Sequence, residues 1–165
     1  MTCPQADEIA CGVIQRPPAS PGSAWTETAL HTLPNDGSSG CDPNEGVVIG
    51  NNGVLYGVTQ SGSYNPLNAQ APPEVFSLTP PATLSGTWTN AVLHMFVGAD
   101  GTYPSGLAIG SGGVLYGTAQ YGGSGQCAAQ YGSGCGVVFE LVPPPPSGGG
   151  WLEAQCHLVF GRRRR

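Results

Sequence analysis

The stretch GVVIGNNGVLYGVTQ, residues 46–60, returns as GLAIGSGGVLYGTAQ at residues 106–120. In each copy two short apolar runs flank a Gly/Asn/Ser cluster, the pattern of two strands joined by a tight turn. The turn is Asn51-Asn52-Gly53 in one copy and Ser111-Gly112-Gly113 in the other, and Asn and Gly tolerate the positive φ of two-residue hairpin turns. Outside this hairpin a second block recurs. Pro17-Pro18, Trp25 and Leu30-His31 are followed by Pro80-Pro81, Trp88 and Leu93-His94, then by Pro143-Pro144, Trp151 and His157, a spacing of about 63 residues. A fixed period of this size marks an array of one supersecondary unit.

Each full period reads as four strands. In the second copy these are 106–110, 114–120, 137–141 and a fourth from Trp151, which matches the segment beginning at Trp88. A Gly-rich loop (121–134) separates the second strand from the third, and a Pro/Gly/Ser connection (143–150) separates the third from the fourth. Val137, Phe139 and Leu141 share one face of the third strand and Glu140 takes the other. Asp36-Gly37 and Asp100-Gly101 mark the turn after the fourth strand. No segment sustains a helical apolar period before Gly or Pro interrupts it.

The expected fold is therefore all-β with very little helix. Four antiparallel strands repeated radially make a β-propeller blade, and the phase of the repeat gives about two and a half blades. Residues 1–11 form a loop entering a partial blade, 12–34 its second half, 46–97 and 106–160 two full blades, and 161–165 a basic tail. A propeller normally needs about four or more blades, because each apolar face is buried only by its neighbours. The chain is thus expected to be a fragment or frame-shifted piece of a longer propeller. The alternative is a short chain that completes a ring by self-association.

Composition narrows the function classes. There are 27 Gly and 16 Pro among 165 residues, but the 39% hydrophobic content comes in runs that these residues punctuate, as in turn-rich all-β proteins. Only 9% of residues are charged, lysine is absent, and Arg162 to Arg165 leave Arg16 as the sole arginine of the body against ten acids. A basic face for nucleic acid is missing. No run approaches the ~20 apolar residues of a membrane span, and the N-terminus lacks the basic start and apolar core of a signal peptide.

Cysteine placement bears on the compartment. Cys3 and Cys11 have the same spacing as Cys127 and Cys135, and Gly-Val follows the second member of each pair (Gly12-Val13, Gly136-Val137). Both pairs stand ahead of the same strand of the repeat. Disulfides Cys3–Cys11 and Cys127–Cys135 are expected, since this spacing is not that of a zinc knuckle; they would imply an oxidising environment. Cys41 and Cys156 have no counterpart in the repeat.

The run Leu93-His94-Met95-Phe96, Asp100-Gly101, Pro104, Gly106-Leu107, Leu115-Tyr116-Gly117-Thr118, Gly122-Gly123 and Gly136-Val137-Val138-Phe139-Glu140-Leu141 resembles the Gloeo/Verruco tandem repeat, or GloVer repeat, of bacterial extracellular proteins. The resemblance covers nearly the whole chain. It implies a secreted or surface-anchored, β-propeller-like repeat protein without an established activity, and the chain departs from it in showing no export signal or anchor.

The residues that invite a chemical reading occupy equivalent places in the repeat. His31, His94 and His157 should lie on equivalent outer strands and so not converge on a metal. Trp25, Trp88 and Trp151, the tyrosines Tyr56 and Tyr116, and Phe76 and Phe139 are expected to define the repeat by packing. Asp42 and Glu45, in the longer loop 37–46, are a possible carboxylate pair for glycosidase or calcium chemistry, read more simply as a solvated loop. No residue is assigned to catalysis, a cofactor or a metal. The functional expectation is a non-catalytic extracellular scaffold for adhesion or for partner or glycan binding, its partners unknown beyond further blades or further copies of itself. The alternatives are a carbohydrate-active propeller enzyme and a truncated product with no independent function.

Overall fold

The computed structural model describes residues 14–16, 26–33, 40, 42–43, 45–60, 72–83, 85–123, 128–129, 132–144 and 155–159. Strands β1 (Ile14–Arg16) and β2 (Thr26–Thr28) form an antiparallel pair. The leading sheet runs in chain order, with β3 (Val48–Ile49), β4 (Leu55–Thr59), β5 (Glu74–Thr79) and β6 (Thr89–Met95) each antiparallel to the last. The trailing sheet is built from β7 (Thr102–Ile109), β8 (Leu115–Tyr121), β11 (Val137–Leu141) and β12 (Gln155–Val159). Between β8 and β11 the chain makes a small hairpin of β9 (Ala128–Ala129) and β10 (Gly132–Ser133). The only helical segments among the described residues are single 3-10 turns at Asn51–Gly53 and Ser111–Gly113. The chain is mostly β, with almost no helix, as its Gly/Pro punctuation predicts.

Those two turns carry the expected chemistry. Asn52 and Gly53 have φ of 57° and 74°, and Gly112 and Gly113 have 70° and 82°. Positive φ at both central residues is what a type I′ turn requires, and its twist matches that of the strands it joins. The N–H of Val54 donates to the carbonyl of Asn51 at 3.2 Å and closes the first turn.

The two sheets share a register. Leu55 pairs with Leu78 and Gly57 with Phe76 across β4 and β5; Leu115 pairs with Leu141 and Gly117 with Phe139 across β8 and β11. Each phenylalanine ring lies over the glycine opposite, where a Cβ on Gly57 would stand 2.5 Å from the Phe76 Cζ. The face bearing Leu, Gly, Phe and Leu is here called the front of each sheet, and the face bearing Tyr56 or Tyr116 the back.

Packing between the sheets is front to back. Val58 and Val75, from the back of the leading sheet, form one buried cluster with Leu115, Phe139 and Leu141, from the front of the trailing sheet. Phe96, just after β6, joins them and sets its ring edge-on to Phe139 at a centroid distance of 5.1 Å. The front of the leading sheet makes a separate cluster of Leu55, Phe76 and Leu78, against which Leu30, Val47 and Trp88 pack.

Strand β7 begins at Thr102 rather than at Gly106. A bulge makes this possible: Ser105 pairs with Thr118 and Leu107 with Gly117, leaving Gly106 unpaired at φ 54°. An extra residue in the left-handed region lets a strand continue past an apparent break, and glycine takes that conformation without steric cost.

Candidate functional site

Stacking leaves the back of the trailing sheet without a neighbouring sheet among the described residues. Tyr116, Thr118, Val138 and Glu140 stand there in the places that Tyr56, Val58, Val75 and Ser77 hold in the leading sheet. Val58, Val75 and Ser77 are buried. Their counterparts are part-buried or exposed, and Tyr116 reaches 43% exposure. A groove of about 370 Å³ is lined by Tyr103, Ser105, Thr118, Gln120 and Val138 of the trailing sheet together with Gln60, which follows β4.

Among the described residues no charged side chain lines the groove. The Thr118 hydroxyl donates to the Ser105 carbonyl at 3.2 Å and lies 3.1 Å from the Ser105 hydroxyl. With the Thr118 proton so engaged, the Ser105 hydroxyl donates to Thr118, and lone pairs of both oxygens remain to accept from a ligand. Two amide side chains add both donors and acceptors. Such a lining offers donors and acceptors to neutral hydrogen-bonding groups.

Tyr103 stands at the rim in an uncommon backbone conformation. Its φ is 54°, and its ring meets that of Tyr121 edge-on at 5.7 Å. Asp42 has φ 67°, and both residues precede a proline, Pro43 and Pro104. The Gln60 N–H donates to the Asp42 carbonyl at 3.1 Å, tying this kink to the end of β4. Asp accepts the left-handed conformation readily, whereas a bulky residue pays roughly 1–2 kcal/mol for it. The kink belongs to the scaffold, and the tyrosine is the costly way to build it.

The turns align differently in space than in sequence. Gly101 sits against Ala119, Phe96 and Val137, whereas Gly40 sits against Thr59 and Glu74. Val137 pairs with Ala119 and Glu74 with Thr59. Gly40, not Gly37, therefore fills the role of Gly101, and three of the four extra residues of the longer loop fall before Gly40. Asp36 and Gly37 lie outside the described residues. Sequence spacing matches the Asp-Gly dipeptides, but the requirement for a side chain-free residue over the β4–β5 pair decides the alignment.

Beneath Gly40, Glu74 and Thr59 are fully buried where the trailing sheet has Val137 and Ala119. The Glu74 N–H donates to Thr59 Oγ1 at 3.1 Å. Sequence reasoning misses this buried carboxylate at an otherwise apolar repeat position. The signal available is Glu74-Val75-Phe76 standing where Val137-Val138-Phe139 recurs.

The remaining candidates are distributed rather than gathered. His94 Nε2 lies 2.8 Å from Asp100 Oδ2, and Asp100 Oδ1 accepts the Val97 N–H at 2.8 Å. The His94 ring also meets Phe96 edge-on at 4.8 Å, so this histidine braces the turn that delivers Phe96 into the core. His31 is part-buried on the segment after β2, and the side chain of His157 lies outside the described residues. Asp42 and Glu45 are both exposed, and among the described residues no three His, Cys, Asp or Glu side chains come together as a metal site.

Trp88 packs on the front cluster of the leading sheet; Trp25 and Trp151 lie outside the described residues. Cys135 is disulfide-bonded and lines the groove. Cys3, Cys11, Cys41 and Cys127 lie outside the described residues, as does the side chain of Cys156. No described helix is long and apolar enough to cross a membrane.

Compared with protein-family models, curated proteins and solved structures, the chain matches none.

Proposed function

We propose that the chain is a non-catalytic extracellular repeat module, part of a β-propeller of GloVer type, whose stacked sheets hold loops and a neutral groove for adhesion or for partner or glycan binding. One observation carries the reading: the back of the leading sheet receives the front of the trailing sheet through Val58, Val75, Leu115, Phe139 and Leu141. Front-to-back packing of meandering four-stranded sheets is how radially repeated blades bury their apolar faces. Positions that repeat build a scaffold, whereas catalysis needs unlike groups brought to one point. The groove supports binding because its hydroxyls and amides are neutral and point to no nucleophile–base pair.

The extracellular assignment draws on the resemblance to GloVer proteins and on the disulfide at Cys135, for which Cys127 is the proposed partner. The test is a polysaccharide hydrolysis screen run alongside binding to the same immobilised polysaccharides, with folding verified by a cooperative melt. Binding without cleavage is the expected result. Release of oligosaccharides would replace this reading with a carbohydrate-active enzyme, and a chain that never melts cooperatively would replace it with an incomplete product.

A further inference from the structure

The junction inside the chain contains the template for another one outside it. At the observed junction Ile109, on the inner edge strand of the trailing sheet, reaches toward Gly50, over which the ring of Tyr56 also lies. Strands β3 and β4 lie against β7 along this seam. Among the described residues the same parts recur unmatched on the two outer sides of the stacked sheets. Tyr116 lies over Gly110 as Tyr56 lies over Gly50, but with 43% of its surface exposed. Ile49 is the counterpart of Ile109 and is 71% exposed, against 38% for Ile109.

We infer that the back of the trailing sheet, around Tyr116, Thr118 and Val138, docks a second copy of this chain through that copy's Ile49 edge, in a head-to-tail contact that repeats the internal junction. This rests on the stacked-sheet part of the reading above; because Thr118 and Val138 also line the groove, a docked copy and a glycan would compete for that face. The occupant is a second copy because the chain itself presents the complement: Ile49 beside β4 on one outer side, Tyr116 over Gly110 on the other. Leu30 and Trp88 already pack on the front cluster of the leading sheet. The second copy therefore covers its inner strands, and the contact is smaller than the internal one.

Chemistry at the open face also makes the contact weaker than its template. Thr118 replaces Val58 and Glu140 replaces Ser77, so a hydroxyl and a carboxylate stand where the internal junction has a methyl group and a smaller hydroxyl. A reversible association follows, and since the contact is heterologous it extends to rings or short filaments rather than stopping at a dimer.

The experiment is sedimentation velocity on the full oxidised chain over a wide concentration range. The wild-type chain should grow beyond a dimer as concentration rises. Tyr116→Arg and Ile49→Arg, both at exposed positions, should each shift assembly to at least about tenfold higher concentration. Thr118→Val, which copies Val58, should shift it the other way. Mixing the two arginine variants should produce a dimer and nothing larger, because each supplies the intact end that the other lacks. Wild-type chain that stays monomeric, or a mixture that stays monomeric while wild type assembles, overturns the inference. Neither result touches the hydrolysis and binding test of the proposed function.

Discussion

The ring of Phe139 occupies the space in which a side chain on Gly117, its cross-strand partner, would stand. Phe76 does the same over Gly57 in the leading sheet. The glycine of each Leu-Tyr-Gly triplet is thus half of a packed pair, and in the trailing sheet the ring it admits is the one that Phe96 meets at the junction between sheets.

Gly117→Ala should destabilise by overpacking, by about 1–3 kcal/mol. Gly106→Ala provides the contrast. Nothing lies within 4 Å of a Cβ placed there, but φ is 54°, so its cost of about 1–2 kcal/mol is purely conformational. Urea melts of each variant and of Gly117→Ala/Phe139→Leu separate the two causes. The smaller side chain at 139 should recover part of the loss at Gly117, while Gly106→Ala/Phe139→Leu should show no recovery.

Phe96→Ala should cost about 3–5 kcal/mol, the usual penalty for emptying a buried aromatic site. Because Phe96 joins Val58 and Val75 to Leu115, Phe139 and Leu141, the loss should fall on both sheets. Hydrogen exchange should report weaker protection in β4 and in β8 together. Loss confined to one sheet would show that the sheets fold independently.

Asp100 braces the turn through two acceptors, one toward His94 and one toward the Val97 N–H. Asp100→Ala should cost about 1–2 kcal/mol, within the range for a lost hydrogen bond in a part-buried setting. Asp100→Asn keeps an acceptor for Val97 and should lose less. Thermal melts of the two variants check the order, and equal losses would leave the Val97 bond without weight.

Thr59→Ala removes the acceptor of the buried Glu74 N–H. An amide left unsatisfied there should cost about 1–3 kcal/mol, although Ala is what the trailing sheet carries at Ala119. Adding Glu74→Val does not restore the acceptor, so the double variant should stay below wild type in a denaturant melt.

Much of the fold is legible in the order of residues alone. Asn52-Gly53 and Gly112-Gly113 announce type I′ turns because few other residues accept that backbone. The alternation of Val137, Phe139 and Leu141 with Glu140 announces a strand buried mainly on one face. The site is less legible. Tyr103 and Asp42 share a kink that residue type hides, since one is aromatic and the other acidic and only the proline after each marks it. Glu74 reads as an ordinary polar residue, because its burial depends on a distant loop laying Gly40 over it.

By itself the sequence determined the class of elements, their turns and the equivalence of the two copies, because those depend on local backbone preference and on the period of apolar residues. Only the tertiary structure decided which face meets which. Val58 and Thr118, or Val75 and Val138, are alike in local pattern, and what separates a buried residue from an open one is whether another sheet lies across it. Burial belongs to the pair of surfaces in contact, and that property is absent from either strand alone.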